Sequence, residues 1–306
     1  MVTATTVHPY KLPAVLSIAG SDSSGGAGIQ ADLKTFMACG VYGMSAITSL
    51  TAQNTTGVRA SAAASPDILA AQIDAVFEDI RPDAVKIGMV PNAELIEVIA
   101  ERLQHYRAAN IVIDPVMIAS SGDRLSSKSS VDALCTKLLP LVTLVTPNIP
   151  EAEALADFDA SRDAANDTNP QVMPETTNVG NTVENASGTI HDETSTIEAA
   201  RRITKHCGDC AVLVKGGHGR DGANDLLLDN GQITWFRHER IVNPNTHGTG
   251  CTLSSAIAAG LAKGQSLTES VQKGKDYLTG CIAAGLDLGA GSGPMDHAWQ
   301  WRNNEN

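Results

Sequence analysis

The chain has 306 residues, enough for one large α/β domain or two smaller ones. Its 22 basic and 34 acidic residues give a formal net charge of −12, which argues against nucleic acid or an anionic membrane as the main partner. Aromatic residues make up only 4% of a composition that is 42% hydrophobic, and this favours helices packed on a sheet over an all-β sandwich.

The N-terminal segment contains no apolar stretch of signal-peptide length, and no later stretch is long and apolar enough to span a membrane. We therefore expect a cytoplasmic protein. The chain has six cysteines, and in a cytoplasmic protein they are expected to be reduced thiols.

Apolar segments of strand length alternate with amphipathic segments of helix length along the chain. The first strand is expected at Ala14–Ala19, and the first helix follows over Gly28–Ala38. The further strands are expected at Met44–Leu50, Ala84–Gly88, Ile111–Asp114, Leu141–Val145 and Ala211–Lys215. The further helices are expected at Asp67–Asp79, Ala93–His105, Ser129–Lys137 and Ile149–Ala156. This alternation predicts an α/β fold with a mostly parallel sheet covered by helices on both faces.

The second half of the chain adds an edge hairpin and a polar insertion. The Asn230-Gly231 pair between two apolar segments predicts a β-hairpin over Leu226–Phe236 at one edge of the sheet. Helices are expected at Thr252–Ala262 and Leu267–Ala284. The segment Asp159–Thr194 is rich in Asn, Thr, Asp, Ser and Glu without an apolar period, so we expect a mobile insertion within a single domain spanning residues 1–306.

A glycine-rich turn, Asn245 to Cys251, leads directly into an apolar helix. Gly248 and Gly250 allow the backbone N–H groups to converge, and the positive end of the helix dipole adds to them, so the turn is suited to bind an anion. Cys251 lies in the first helical turn, where the pKa of a thiol is expected to be lowered, and it could accept the proton of a substrate hydroxyl. Taken alone, such a turn more often contains a cysteine that only packs.

The neighbouring motifs favour the catalytic interpretation. The sequences HGTGCTLS from His247 and SIAGSDSSGGAGIQADLK from Ser17 resemble the hydroxymethylpyrimidine/phosphomethylpyrimidine kinases of thiamine biosynthesis. Five shorter stretches agree with that family, in its order along the chain: Ala52–Gly57, Lys86–Met89, Asp114–Met117, Thr146–Glu151 and Lys215–His218. Only the N-terminal dozen residues and the polar insertion fall outside the resemblance.

The resemblance implies a three-layer ribokinase-like fold and a homodimeric enzyme. It also implies phosphorylation of 4-amino-5-hydroxymethyl-2-methylpyrimidine to its monophosphate and then its diphosphate, with ATP and Mg²⁺. The positions that match the family's pyrimidine pocket are Gly20, Asp32, Gln53, Met89 and Val116. Those that match its nucleotide site are Lys215, Asn148 and Thr249, with Glu151 and Asn148 organising Mg²⁺ through water, and those that match its catalytic centre are Cys251, Gly248 and Gly250.

One difference from the broader superfamily bears on the mechanism. Most of its members carry an aspartate after Gly-x-Gly, whereas this sequence has Cys251, as the pyrimidine kinases do. An aspartate is ionised at neutral pH, whereas a thiol must be brought to that state by its surroundings. The first phosphorylation needs an activated alcohol, but the second uses a phosphate oxygen that is already anionic. We therefore expect Cys251→Ala to impair the first step much more than the second.

Several alternative interpretations are weaker. Gly26–Ala31 fits a dinucleotide-binding pattern, but five residues separate it from the preceding strand, and the pair Cys207 and Cys210 lacks the partners of a zinc site, so it is expected to pack structurally. A pyridoxine or pyridoxal kinase on the same fold is the nearest rival. A non-catalytic regulator is a further alternative, against which the intact Asn148, Glu151, Lys215 and Cys251 argue.

Overall fold

The computed structural model describes residues 10–117, 127–158, 189–216 and 223–302. None of the helices within these ranges is long and apolar enough to cross a membrane. Most of the predicted insertion lies outside the described residues, but its last two residues belong to a helix that starts at Glu193.

Eight strands form one sheet in the order β10-β9-β8-β7-β6-β5-β1-β2, and β3 pairs with β4 in a separate two-stranded sheet. The strands β2, β1, β5, β6, β7 and β8 are parallel, while β9 and β10 are antiparallel at one edge. Their bounds are β1 Ala14–Ala19, β2 Tyr42–Ile47, β3 Ser49–Asn54, β4 Gly57–Ala63, β5 Ala84–Ile87, β6 Ile111–Ile113, β7 Leu144–Val145, β8 Ala211–Val214, β9 Asp225–Asp229 and β10 Gln232–Phe236.

The helices within the described ranges are α1 Gly28–Ala38, α2 Pro66–Asp79, α3 Ala93–His105, α4 Lys128–Ala133, α5 Ile149–Ala156, α6 Glu193–His206, α7 Thr249–Ala262, α8 Leu267–Ala283 and α9 Trp299–Arg302. A π-helical turn, Leu134–Leu138, and a 3₁₀ turn, Leu139–Leu141, continue α4. Side-chain oxygens cap the N-termini of α2 and α3, from Ser65 and Asn92 respectively.

The sheet separates two hydrophobic cores because successive residues of a strand point to opposite faces. In β1, Leu16 belongs to the core that contains α2, α3, α5 and α6, while Val15 belongs to the core that contains α1, α7 and α8. The same alternation occurs in β6, where Val112 packs opposite to Ile111 and Ile113. The predicted three-layer α/β/α architecture is therefore confirmed.

The strand predicted over Met44–Leu50 is wrong in its extent. The chain forms β2, leaves the main sheet after Ile47, and then forms β3, which pairs with β4. Strand β4 and helix α6 were not among the predicted elements. The other predicted strands and helices agree with the structure to within about three residues at each end.

Candidate active site

The glycine-rich turn before α7 is held against the loop that follows β1. Gly248, the residue before the helix, has a φ of +87°, which L side chains rarely adopt. A Cβ atom on Gly248 would also lie 2.0 Å from the carbonyl oxygen of Gly26. Backbone therefore packs directly on backbone here, and only glycine leaves room for it.

His247, the residue before this glycine, connects the turn to the small sheet. Its Nε2 lies 3.0 Å from Oδ2 of Asp22 and 3.1 Å from Nε2 of Gln53 in β3. Asp22 in turn accepts hydrogen bonds from the backbone N–H groups of Ser24, Gly26 and Ala27. Burial acts to raise the pKa of Asp22, but the hydrogen bonds from His247, Ser24 and the backbone outweigh it and lower that pKa, so Asp22 is a carboxylate.

On its other side the turn faces two charged residues at the carboxyl ends of the sheet strands. A Cβ atom on Gly250 would lie 2.7 Å from Oδ2 of Asp114 and 3.3 Å from Nζ of Lys215. These two residues form an ion pair of 2.6 Å, with Asp114 buried and Lys215 partly exposed. Lys215 continues β8 and pairs with Asn148 beyond β7, so the parallel sheet itself brings these groups together.

Asn148 and Glu151 form a capping box at the start of α5. The Asn148 side chain accepts from the N–H of Glu151, and the Glu151 carboxylate accepts from the N–H of Asn148, each at 2.9 Å. Burial raises the pKa of Glu151 to about 7; the charge of Lys215 opposes this rise and the charge of Asp114 adds to it. A positive charge placed beside this buried carboxylate would favour its ionised form.

The thiol of Cys251 lies in the first turn of α7 and is half-buried. Burial raises the pKa of this thiol; the ammonium of Lys86 and the N–H of Gly28 oppose the rise, while the carboxylates of Asp32 and Asp114 add to it. The expected lowering of the thiol pKa is therefore wrong, because loss of hydration outweighs the effect of the helix N-terminus.

Asp32 lies beneath Cys251, between α1, α7 and the sheet, and has no exposed surface. Lys86 donates to both of its carboxylate oxygens at 2.8 Å. The hydroxyl groups of Ser17 and Ser255 donate the remaining hydrogen bonds, at 2.6 and 2.7 Å. The carboxylate of Asp32 therefore makes its hydrogen bonds within the protein, and it lies beneath the candidate site.

The other residues expected at the ring site lie on adjoining loops. A Cβ atom on Gly20 would lie 2.5 Å from Cε of Met89, so the ends of β1 and β5 are in contact at this point. Met89 and Val116 are half-buried after β5 and β6 respectively. Thr249 is half-buried in the first turn of α7.

The structure therefore brings Gln53, the glycine-rich turn, Lys215, Asn148 and Glu151 to one edge of the sheet. Four residues to which sequence analysis gave no role also belong to this edge: Asp22, Lys86, Asp114 and His247. Asp114 could have been found, because an acid directly after a parallel strand lies at the ligand-binding edge of such sheets. A cavity of about 390 Å³ lies elsewhere, between α1, α7, α8 and α9, and none of the predicted site residues lines it.

Comparison with known proteins identifies one family. The family model described as phosphomethylpyrimidine kinase matches residues 22–178 and 170–296. The hydroxymethylpyrimidine/phosphomethylpyrimidine kinase of Rhizobium meliloti is 46% identical, covering 94% of this chain and 97% of that protein. The crystal structure of phosphomethylpyrimidine kinase from Clostridium difficile 630 superposes with a TM-score of 0.70 at 41% identity, covering 87% of this chain and 98% of that one.

An ADP complex of Bacillus subtilis pyridoxal kinase superposes with a TM-score of 0.79 at 33% identity, covering 95% of this chain and 99% of that chain. Fold and site together define a small-molecule phosphotransferase of the ribokinase-like class. Within that class, the chain belongs to the phosphomethylpyrimidine kinase family.

Proposed function

We propose that this enzyme transfers the γ-phosphoryl group of ATP to 4-amino-5-hydroxymethyl-2-methylpyrimidine, and then a second phosphoryl group to the resulting monophosphate, for thiamine biosynthesis. The supporting observation is the position of the glycine-rich turn between two kinds of group. On one side His247 reaches Gln53, an amide suited to an aminopyrimidine. On the other side Gly250 packs against Asp114 and Lys215, at the edge of the main sheet that is suited to phosphates.

Phosphoryl transfer depends mainly on positioning and on stabilising charge. The N–H groups at the start of α7, around Gly248, Thr249 and Gly250, hold the migrating phosphoryl group. Lys215 contributes a point charge beside the phosphates, with its orientation fixed by Asp114 at 2.6 Å. The pKa of Lys215 is raised, because the charges of Asp114 and Glu151 outweigh its burial, so it remains a cation at neutral pH.

The ring of the substrate lies among Gly20, Gln53, Met89 and Val116, with its hydroxymethyl group directed to Cys251. Because Asp32 is fully buried, we assign it a supporting role. It holds Lys86 beneath Cys251, and the charge of Lys86 favours the thiolate form. Cys251, as its thiolate, removes the proton of the alcohol in the first reaction.

Mg²⁺ fits the acidic end of the site. Among the described residues no cluster of three or more His, Cys, Asp or Glu side chains could hold a metal ion by itself. Mg²⁺ in phosphotransferases usually takes one or two protein oxygens, with water and substrate phosphate completing its shell. Glu151 and Asn148 would hold it through water, and it would neutralise charge on the phosphates.

We also propose a homodimer in the cytoplasm. The small sheet of β3 and β4 stands apart from the main sheet, and all seven residues of β4 are exposed. A second copy covering this sheet would shield the edge that carries Gln53. All six cysteines are free thiols, which fits a reducing compartment; recovery of the enzyme in a secreted fraction would contradict this location.

The activity is tested by measuring ADP release with ATP and Mg²⁺ in the presence of the pyrimidine alcohol, its monophosphate or pyridoxal. We expect turnover with both pyrimidines, no turnover without Mg²⁺, and two sequential products in phosphorus NMR spectra. Binding without ADP release would indicate a regulator instead. A kcat/KM for pyridoxal that exceeds that for the pyrimidine would indicate a pyridoxal kinase, the alternative that the Bacillus subtilis neighbour supports.

A further inference from the structure

The side-chain amide of Gln53 can present its oxygen or its nitrogen to His247. This orientation decides where a bound ligand finds a hydrogen-bond acceptor and where it finds a donor. A half-turn of the terminal amide exchanges these two atoms without moving any other atom. The structure has Nε2 toward His247 at 3.1 Å and Oε1 toward Thr51 at 3.4 Å. The hydrogens available on the neighbouring groups decide between the two orientations.

The first neighbour is His247. Its Nε2 lies 3.0 Å from a carboxylate oxygen of Asp22, and an ionised carboxylate can only accept hydrogen bonds. Nε2 of His247 must therefore carry a hydrogen, in the neutral as well as the protonated imidazole. An amide nitrogen at 3.1 Å from that N–H would place two donors face to face, whereas the amide oxygen would accept a shared hydrogen bond.

The second neighbour is Thr51. Its hydroxyl has one hydrogen, and Oγ1 lies 2.6 Å from the backbone carbonyl oxygen of Ser21, which can only accept. That hydrogen is thus already used, and Oγ1 of Thr51 can only accept a further bond. The Gln53 atom that faces Thr51 must be the NH₂ group.

The hydrogen on His247 and the hydrogen on Thr51 therefore indicate the same orientation of the Gln53 amide. We infer that His247, held as a donor by Asp22, sets the orientation of the Gln53 amide and is therefore a specificity-determining positioning residue for the ring of the substrate. This inference rests on the proposed function, in which Gln53 contacts that ring. In this orientation the Gln53 oxygen faces His247 and the nitrogen faces Thr51.

The consequence is a fixed pattern for the ligand. The Gln53 oxygen retains one free lone pair on the His247 side, and the NH₂ group retains one free hydrogen on the Thr51 side. A ring edge with an amino donor beside a ring-nitrogen acceptor satisfies both. A pyrimidine with oxygen in place of the amino group presents an acceptor beside an N–H donor, and it leaves both groups of Gln53 unsatisfied.

The packing around His247 keeps its ring in place. A Cβ atom on Gly26 would lie 2.7 Å from Cδ2 of His247, so the ring lies directly on the backbone of the loop after β1. The backbone N–H of His247 donates to the carbonyl oxygen of Gly293 at 3.3 Å. Both contacts hold the imidazole between the loop and the C-terminal segment, so it can act as a fixed reference for Gln53.

The test compares kcat/KM for the 4-amino substrate with kcat/KM for its 4-oxo analogue, in the full-length enzyme and four variants. His247→Phe keeps a ring of similar size but cannot donate, and the amide of Gln53 is then oriented only by its long contact of 3.4 Å with Thr51. We expect the preference for the amino substrate to fall roughly tenfold or more, because this weak contact lets the amide turn to suit either ring. His247→Gln can still donate to Gln53 and to Asp22, and we expect it to keep the preference within about threefold. In Gln53→Ala the further change His247→Phe should alter the preference by less than about twofold.

An equal loss of activity on both substrates in His247→Phe, with the preference unchanged, would overturn the inference, because it would indicate a role in the phosphate-binding turn alone. If the wild-type enzyme phosphorylates neither pyrimidine, the proposed function itself fails, so the two failures are distinguishable. A long-range proton–nitrogen NMR spectrum tests the first step directly. Nε2 of His247, identified by its disappearance in His247→Gln, should carry a hydrogen in the free enzyme, and an unprotonated Nε2 would contradict the argument.

Discussion

In the proposed mechanism Cys251 accepts the proton of the substrate alcohol, yet burial raises the pKa of its thiol. Only a small fraction of the thiol is then ionised at neutral pH. A thiolate is the form that can accept a proton, so the reaction that needs a base should speed up as the pH rises. The reaction that starts from an anionic phosphate oxygen has no such requirement.

We therefore predict that Cys251→Ala lowers kcat/KM for the pyrimidine alcohol by roughly 100-fold or more, the scale of a lost general base, and lowers kcat/KM for the monophosphate by less than about tenfold. In the wild-type enzyme, the first reaction should accelerate with pH up to the raised pKa of Cys251, and the second should lack this dependence. Both are measured by ADP release over a pH series. Equal losses for the two substrates would exclude this division of roles.

Single residues of the site could be predicted from the sequence only where they belong to a local motif. Gly248, Gly250 and Cys251 are adjacent in the chain, and their common purpose follows from the geometry of a turn that enters a helix. The contact between Asp22 and His247 joins residues 225 positions apart, and no local sequence pattern indicates it. The thiol pKa was misjudged for the same reason, since burial depends on the packing of distant elements.

At the scale of elements, the turn before α7 depends on direct contact between two backbones. Gly264, after the same helix, provides a matched control: its φ is +76°, but no atom lies within 4 Å of the position of an added Cβ. Gly264→Ala should therefore show the cost of the backbone conformation alone, about 1 kcal/mol in the free energy of unfolding. Gly248→Ala carries the same cost and also a collision with the carbonyl of Gly26.

We predict that Gly248→Ala is less stable than Gly264→Ala in urea unfolding, and that it loses on the order of 100-fold in kcat, because the displaced N–H groups no longer meet the phosphoryl group. Gly264→Ala should retain kcat within about twofold of wild type. Equal stability and equal activity of the two variants would show that the contact with Gly26 has no structural importance.

Strands were predictable where both faces are buried and the side chains are therefore uniformly apolar, as in Ala14–Ala19 and Ala211–Val214. Strand β4 escaped prediction because all seven of its residues are exposed and no continuous apolar segment marks it. Its alternating apolar residues, Val58, Ala60 and Ala62, are mostly small and give only a weak signal. The boundary between β2 and β3 was missed because β-forming residues continue across it. The passage of the chain from the main sheet to the small sheet depends on tertiary packing, which the local sequence does not indicate.

At the scale of the whole molecule, the hairpin of β3 and β4 has one apolar face that no described part of the chain covers. The register pairs Leu50 with Ala62 and Ala52 with Ala60, and all four residues are exposed, Leu50 by 59%. Alternate residues of β3 point the other way: Thr51 and Gln53 contact the loop after β1 and the glycine-rich turn. The hairpin thus has one face toward the candidate site and one apolar face that no described residue covers.

Covering the apolar face with the same hairpin of a second copy would bury Leu50 and hold Gln53 in place from behind, so assembly and substrate binding should be coupled. We predict that Leu50→Glu converts the enzyme from a dimer to a monomer in sedimentation equilibrium and raises KM for the pyrimidine several-fold, roughly the effect of loosening a binding residue by 1 kcal/mol. Val242→Glu, at a position that is 96% exposed in a loop, introduces the same charge and should leave both properties unchanged. A wild-type enzyme that sediments as a monomer at micromolar concentration would refute the proposed assembly, whereas a dimer that persists in Leu50→Glu would place its interface elsewhere on the molecule.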